Sequence, residues 1–334
     1  MRWTKGGINR RDFMKGTVVG LAGWPLLGSL TGTVRADAPR AARVALCKTT
    51  DRRAGVEQVM KLLEFEPPHG RRVLVKPNFN TADPAPGSTH NDTLLAIVRE
   101  LRRRDAGAIA VGDRCGPAKM PEVLARKGIP EMAKEERFDV IDFGALPDTD
   151  WLPFSAPGLH WENGFTIPRP VREAEYIVIT PCLKTHQYGG VFTMSLKLAV
   201  GITPRSLMRQ LHGNTEHMRR MIAEINLAYT PKLVVLDGVE CFVDGGPMEG
   251  KKAEAGVILA GIDRVAVDAV GLAVLREVGA NDAIMGTPVF RQEQIARAVE
   301  LGLGVSRPEA VEFVTGDAES RRYADKLKAI LAAG

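Results

Sequence analysis

No two of the four cysteines lie near one another in this 334-residue chain: Cys47, Cys115, Cys182 and Cys241 are separated by 68, 67 and 59 residues. Spacings this long match no local zinc or iron–sulfur signature, which excludes a zinc finger or a ferredoxin segment. No apolar run reaches the roughly 20 residues that a comfortable membrane span needs; the nearest, residues 16–30, falls short. Glycine doublets occur, but none opens a strand-to-helix phosphate turn in the order of a dinucleotide fingerprint. There is no EF-hand spacing and no nucleophile elbow around Ser195. Internal repeats, low-complexity tracts and clean linkers are missing as well. So is any charge excess beyond the first 36 residues. Arg2, Lys5, Arg10, Arg11, Lys15 and Arg35 against Asp12 account for the whole formal net charge of +5, so the remainder is balanced and offers no argument for nucleic-acid binding.

Residues 1–36 have three parts: the positive segment NRRDFMK (9–15), the apolar run 16–30, and Val34-Arg35-Ala36 at the positions a signal peptidase reads. Arg10-Arg11 followed by Phe13 and Lys15 resembles a twin-arginine export signal. That resemblance implies a partner in the twin-arginine export machinery and cleavage after Ala36. It also implies a mature chain, without a permanent membrane span, in the periplasm or at the outer face of the cell envelope. Export of this kind carries folded proteins, often with a cofactor already inserted.

From residue 37 onward, strands and helices alternate. Residues 43–48, 71–76, 108–112, 138–143, 176–180, 233–236, 255–260 and 311–315 read as strands, and 55–65, 92–104, 120–126, 216–229, 264–278, 290–301 and 321–331 as helices. YIVIT (176–180) is apolar and β-branched with no solvated face, the pattern of a central parallel strand. Val267, Val270, Val274 and Val278 recur at helical spacing behind Asp263, a natural N-cap. The pattern predicts a three-layer α/β fold, a mostly parallel central sheet with helices on both faces. A single domain over 37–334 is expected, with a small irregular insertion at 144–170, where regular periodicity is missing.

The chemistry concentrates at 181–205, PCLKTHQYGGVFTMSLKLAVGITPR, directly after the YIVIT strand, whose end Pro181 marks; after Gly189 and Gly190, residues 191–200 resume a helix-like apolar pattern that contains Ser195 and Lys197. An open α/β sheet keeps its ligand crevice outside the carboxyl ends of its strands. Lys76, Asn78, Lys184, Gly189, Gly190 and Lys197 are the expected anion-binding set. An ammonium at the end of a buried strand needs a partner, and glycine lets backbone approach a ligand. The competing reading is that Lys76 and Lys184 pair with Asp113 and Asp237 to hold loops together. His186 is the expected acid/base, with Lys184 and Asp237 as its catalytic companions and Glu249 as an alternative carboxylate. His212 and His217, five apart, flank a loop-to-helix transition.

VLVKPNFN (73–80), VGD (111–113), PCLKTH (181–186), MSLKLAVG (194–201), LDGVECFVDGGPMEG (236–250) and DRVAVDAVG (263–271) together resemble the bacterial and archaeal domain-of-unknown-function family 362, over about residues 43–280. The combination is specific although each piece alone is weak. Members of that family are commonly uncharacterised, and some carry iron–sulfur modules.

Each cysteine falls at or just past the carboxyl end of an expected strand, so a parallel sheet could bring all four to one edge. The leading expectation is therefore a four-cysteine [4Fe–4S] cluster or zinc site formed by Cys47, Cys115, Cys182 and Cys241. Buried single thiols and one or two disulfides are the alternatives. On that expectation the protein is an exported metalloprotein, redox active, with an electron-transfer partner and a crevice for a small anionic ligand. Two other readings stay open: a metal-free solute-binding or envelope interaction protein, and a cofactor-free lyase, isomerase or hydrolase using His186 with Asp237 or Glu249.

Overall fold

The computed structural model describes residues 41–334; the leader expected at 1–36 lies outside them. Twelve strands are formed among the described residues: β1 (Ala42–Lys48), β2 (Val73–Pro77), β3 (Ile109–Asp113), β4 (Asp139–Asp142), β5 (Trp151–Phe154), β6 (Phe165–Pro168), β7 (Tyr176–Thr180), β8 (Cys182–His186), β9 (Val191–Thr193), β10 (Leu233–Gly245), β11 (Gly250–Gly261) and β12 (Val311–Thr315). The main sheet runs β12-β1-β11-β10-β7-β2-β3-β4, with β8 and β9 attached beyond the end of β7. Every neighbouring pair on the main path is parallel except the two pairs that involve β11.

Side-chain parity explains why helices cover both faces. In β7, Tyr176 and Val178 join one apolar cluster while Ile177 and Ile179 join the other; Val73 and Val75 separate from Leu74 in β2 in the same way. Strands buried on both sides carry no polar alternation, which is what YIVIT shows. Helices Arg52–Leu62 and Asn91–Arg103 cover the Val75 face. Helices Met218–Ile225, Arg264–Glu277, Glu293–Glu300 and Ala318–Ala333 cover the Leu74 face. Each fully buried Val, Leu or Ile contributes about 1.5–3 kcal/mol, enough to fix strand register firmly. Asp263 caps its helix as expected, accepting from Val265 N at 2.8 Å and Ala266 N at 2.9 Å.

The three-layer α/β expectation agrees with this architecture, and two local expectations change. The polar residues 182–186 form a strand, because β8 pairs with β10 after the interruption at Pro181. The helix-like run 191–200 begins as strand β9, and its helix is only Ser195–Leu198. Within 144–170, β5 and β6 form a two-stranded antiparallel sheet. No helix among the described residues is long and apolar enough to cross a membrane.

Candidate functional site

The site grows from the carboxyl end of β7. Strand β8 pairs antiparallel with β9, matching Lys184 with Thr193 and His186 with Val191. A two-residue period puts Lys184 and His186 on one face with Thr193 opposite. Leu183 points the other way into the core, and the Thr185 hydroxyl donates to Gly245 O at 3.1 Å. The turn between β8 and β9 is tight. Phe192 N donates to Gly190 O at 2.8 Å across a three-residue turn, which leaves Val191 at φ 65°. A β-branched residue in that region costs about 1–3 kcal/mol, so something must hold it there. Gln294 does, with Nε2 donating to Gly190 O at 2.6 Å and Phe192 O at 3.2 Å.

Helix Ser195–Leu198 follows at once. Its first two amides, Ser195 N and Leu196 N, donate to the buried carboxylate of Asp268 at 2.7 and 2.9 Å. This anchors the backbone that carries Lys197. A Cβ added to Gly190 would sit 2.6 Å from Lys197 Cε and 2.9 Å from His186 Nδ1. Glycine is required there because Lys197 and His186 close in on the same backbone position.

The opposite wall comes from β2 and β3. Lys76 Nζ donates to Asp113 Oδ1 at 2.7 Å. Asp113 also accepts from Phe79 N and Arg114 N, both at 2.7 Å. Burial pushes the Lys76 ammonium down and the Asp113 carboxyl up, and their contact opposes both shifts. Lys76 thus pairs with Asp113, as the competing reading has it, and also lines the cavity. Gly201 fits against this pair, since a Cβ there would lie 2.5 Å from Asp113 Oδ1.

Between the walls lies a cavity of about 860 Å³. Six cationic side chains line it, Lys76, Arg114, Lys184, Lys197, Arg205 and Arg219, against one carboxylate, that of Asp113. Arg114 gives its guanidinium to Thr203 O, Cys115 O and Val200 O at 2.6–3.0 Å, bringing its charge in without a carboxylate of its own in hydrogen-bond contact. Lys184 donates to Gly87 O at 2.7 Å and Pro247 O at 2.9 Å, so one of its three donors stays uncommitted. Burial pulls its ammonium down to about 8. Lys197 has no hydrogen-bond or ion-pair partner among the described residues, and burial, reinforced by Lys184 and Arg114, lowers it to about 7. Burial, with Lys197 and Lys184 adding to it, pushes His186 down to about 2, so its imidazole is neutral at physiological pH. His186 Nδ1 and Thr193 Oγ1 are buried without a hydrogen-bond partner. The arrangement can attract an anion, place hydrogen bonds on it and present an uncharged amine to it.

Lys76, Asn78, Lys184, His186, Gly189 and Lys197 all line this cavity. Gly190 supports it from behind. Asp237 and Glu249 are not among its lining residues. Asp237 is held by Arg52 Nε at 2.9 Å, Thr93 Oγ1 at 2.6 Å and Val239 N at 3.1 Å, so it pairs with Arg52 and not with Lys184. The GGPMEG turn supplies Pro247 and Met248 to the wall. Sequence reasoning did not single out Arg114, Arg205, Arg219 or Thr193. The signal for Arg114 was available, a cation just past a buried strand like Lys184; the others depend on how distant loops fold back.

The four-cysteine iron–sulfur or zinc site is overturned. Among the described residues no group of three or more His, Cys, Asp or Glu side chains could hold a metal ion, and Cys47, Cys115, Cys182 and Cys241 are all free and buried. The reason is strand order. Between β1, which carries Cys47, and β3, which Cys115 follows, lie β11, β10, β7 and β2. Five strand spacings separate them by on the order of 24 Å. Cys241 packs in the cluster on the sheet face opposite Cys47 and Cys115. Desolvation raises every one of the four thiols, Cys115 and Cys241 to about 12. Of the cysteine readings, simple burial stands.

The sheet, its two helical layers and the cleft define an α/β protein with a crevice lined by cationic side chains at its strand ends. Within that class the chain belongs to the family described as Domain of unknown function (DUF362), whose family model matches residues 73–273. Comparison with curated proteins gives no match. Among solved structures, similarity extends to the lactate racemase apoprotein from Thermoanaerobacterium thermosaccharolyticum, with 13% identity and a TM-score of 0.44, covering 67% of this chain and 54% of that one. A protein from Thermotoga maritima is similar at 12% identity and a TM-score of 0.42, covering 68% of this chain and 56% of that one. The chain thus spans about half the length of these solved structures.

Proposed function

We propose that the chain binds a small organic anion, a carboxylate or phosphate with an apolar portion, in the cleft at the carboxyl ends of β2, β3 and β8. The observation that carries this reading is the excess of cationic side chains: of the six, Lys76 is paired with Asp113 and Arg219 with Glu293, which leaves Arg114, Lys184, Lys197 and Arg205 without a carboxylate partner among the described residues. In a partly desolvated cleft such an excess is costly until an anion balances it. Lys184 supplies the point charge and a free donor. His186 lines the cleft beside it, and Leu198, Met208, Met218 and Met248 supply apolar contact. The phenol ring of Tyr188, 54% exposed and edge-on to His186, stands at the mouth.

Isothermal titration with oxalate, malonate, benzoate and inorganic phosphate tests the reading. Saturable binding that weakens with salt is the expected result; absence of saturable binding by all four refutes it. We further propose that the Arg10-Arg11 leader directs the protein across the cytoplasmic membrane. Cell fractionation of the full chain and of an R10K/R11K variant checks this, and equal distribution of the two would refute it.

A further inference from the structure

The cleft contains two lysines with different commitments. Lys184 spends two donors on carbonyl oxygens, and burial brings it down only to about 8. At neutral pH it is therefore mostly the cation. Lys197 donates to nothing, has no carboxylate beside it, and lines the same cavity. Gly190 removes the side chain that would separate it from His186. His186 and Thr193 line that cavity, and behind its surface His186 Nδ1 and Thr193 Oγ1 are buried without a partner, although buried polar groups are ordinarily satisfied.

We propose that Lys197 forms a covalent imine with a 2-oxo acid seated in the cleft, its carboxylate held by Lys184 and its carbonyl oxygen facing His186 and Thr193. This rests on the anion-binding reading and names its substrate class. The Lys197 nitrogen lone pair attacks the carbonyl carbon, a C–N bond forms, and the C=O π pair moves to oxygen. Oxygen gains a proton as nitrogen loses one, giving a neutral carbinolamine. The hydroxyl then leaves as water, taking up one proton while nitrogen loses its second. Amine plus ketone gives imine plus one water, with no oxidant or reductant consumed. His186 and Thr193 line the same cavity as Lys197. Burial and the neighbouring Lys184 and Arg114 charges keep Lys197 near the point where half of it is uncharged at neutral pH. Neutral His186 adds no charge beside it. Lys184 and Arg114 are the charged groups that act on Lys197, and no carboxylate does.

The full chain is incubated with pyruvate, then reduced with borohydride, and the adduct is located by peptide mass mapping. One adduct per chain at Lys197 is expected, with an initial rate that falls about tenfold for each pH unit below about 7. Lys197→Arg abolishes the adduct, and mapping of the unaltered protein gives the answer independently if that variant does not fold. An adduct spread over other lysines, or none at Lys197, overturns the proposal. The wild-type protein also separates the two readings. Oxalate binding without a pyruvate adduct removes the imine and leaves the anion site, whereas no oxalate binding removes the anion site itself.

Discussion

Replacing Lys184 by Met separates what this side chain costs the fold from what it gives the site. The ammonium is completely buried, and its fall from 10.5 to about 8 corresponds to about 3 kcal/mol of penalty carried by the folded protein at pH 7. Methionine fills a similar volume without that penalty. It leaves Gly87 O and Pro247 O without their donor, a loss of about 1 kcal/mol each. The two effects leave a net stabilisation of about 1 kcal/mol in the ligand-free protein. The same change removes a charge-assisted hydrogen bond to the anion, worth about 1.5–3 kcal/mol, so affinity falls roughly 10- to 150-fold. The pH dependence gives a second check. Because the folded-state value lies below the unfolded one, the unfolded chain holds more protons between about pH 8 and 10.5. Wild-type stability therefore rises with pH across that window, and the advantage of the variant shrinks. Urea unfolding at pH 7 and pH 9.5, with oxalate titration on the same two proteins, reads all three outcomes. A variant less stable than wild type by more than about 2 kcal/mol, with unchanged affinity, would refute the reasoning, since the lysine would then be structural.

Three further outcomes follow from the geometry. Gly190→Ala places a methyl group 2.6 Å from Lys197 Cε, so it should destabilise by about 1–3 kcal/mol and slow adduct formation with pyruvate; an unchanged rate would show that Lys197 does not depend on that contact. Asp268→Ala leaves Ser195 N and Leu196 N buried without their acceptor, with an expected loss of about 2–4 kcal/mol in urea unfolding. All four cysteines, buried and with raised thiol values, should resist an aromatic disulfide reagent in the native protein and react together on unfolding; rapid native labelling of Cys115 or Cys241 would contradict their burial.

Strand identity was legible because it is written locally. YIVIT, RRVLVK and the valine spacing behind Asp263 each state their own period, and the structure places β7, β2 and helix Arg264–Glu277 there. The location of the cleft followed from the same facts, since Lys76 and Lys184 sit where buried strands end. What could not be read was any feature that depends on pairing between distant segments. β8 was not among the expected strands because Pro181 marks the end of YIVIT, and CLKTH is a strand only because β10 and β9 offer it partners. The departure of β9 from helix likewise turns on Gln294, about a hundred residues away, which holds the strained Val191 turn.

The cysteine error has the same origin and shows why strand ends alone do not make a site. Placing four thiols at carboxyl ends of strands fixes one coordinate, their height in the sheet, and leaves the lateral coordinate to strand order. The β10–β11 hairpin inserts β11 between β1 and β10, which carries Cys47 away from the central strands, and the long β10 takes Cys241 onward into the opposite layer. The lysines escape this dispersion because Lys76 lies on β2, the direct neighbour of β7, Lys184 continues the line of β7, and Lys197 follows within a few residues of β9. Convergence on a crevice requires adjacent strands or short connections between them. The cationic residues met that condition and the thiols did not, and the cleft is accordingly lined by amines and guanidinium groups and not by thiolates.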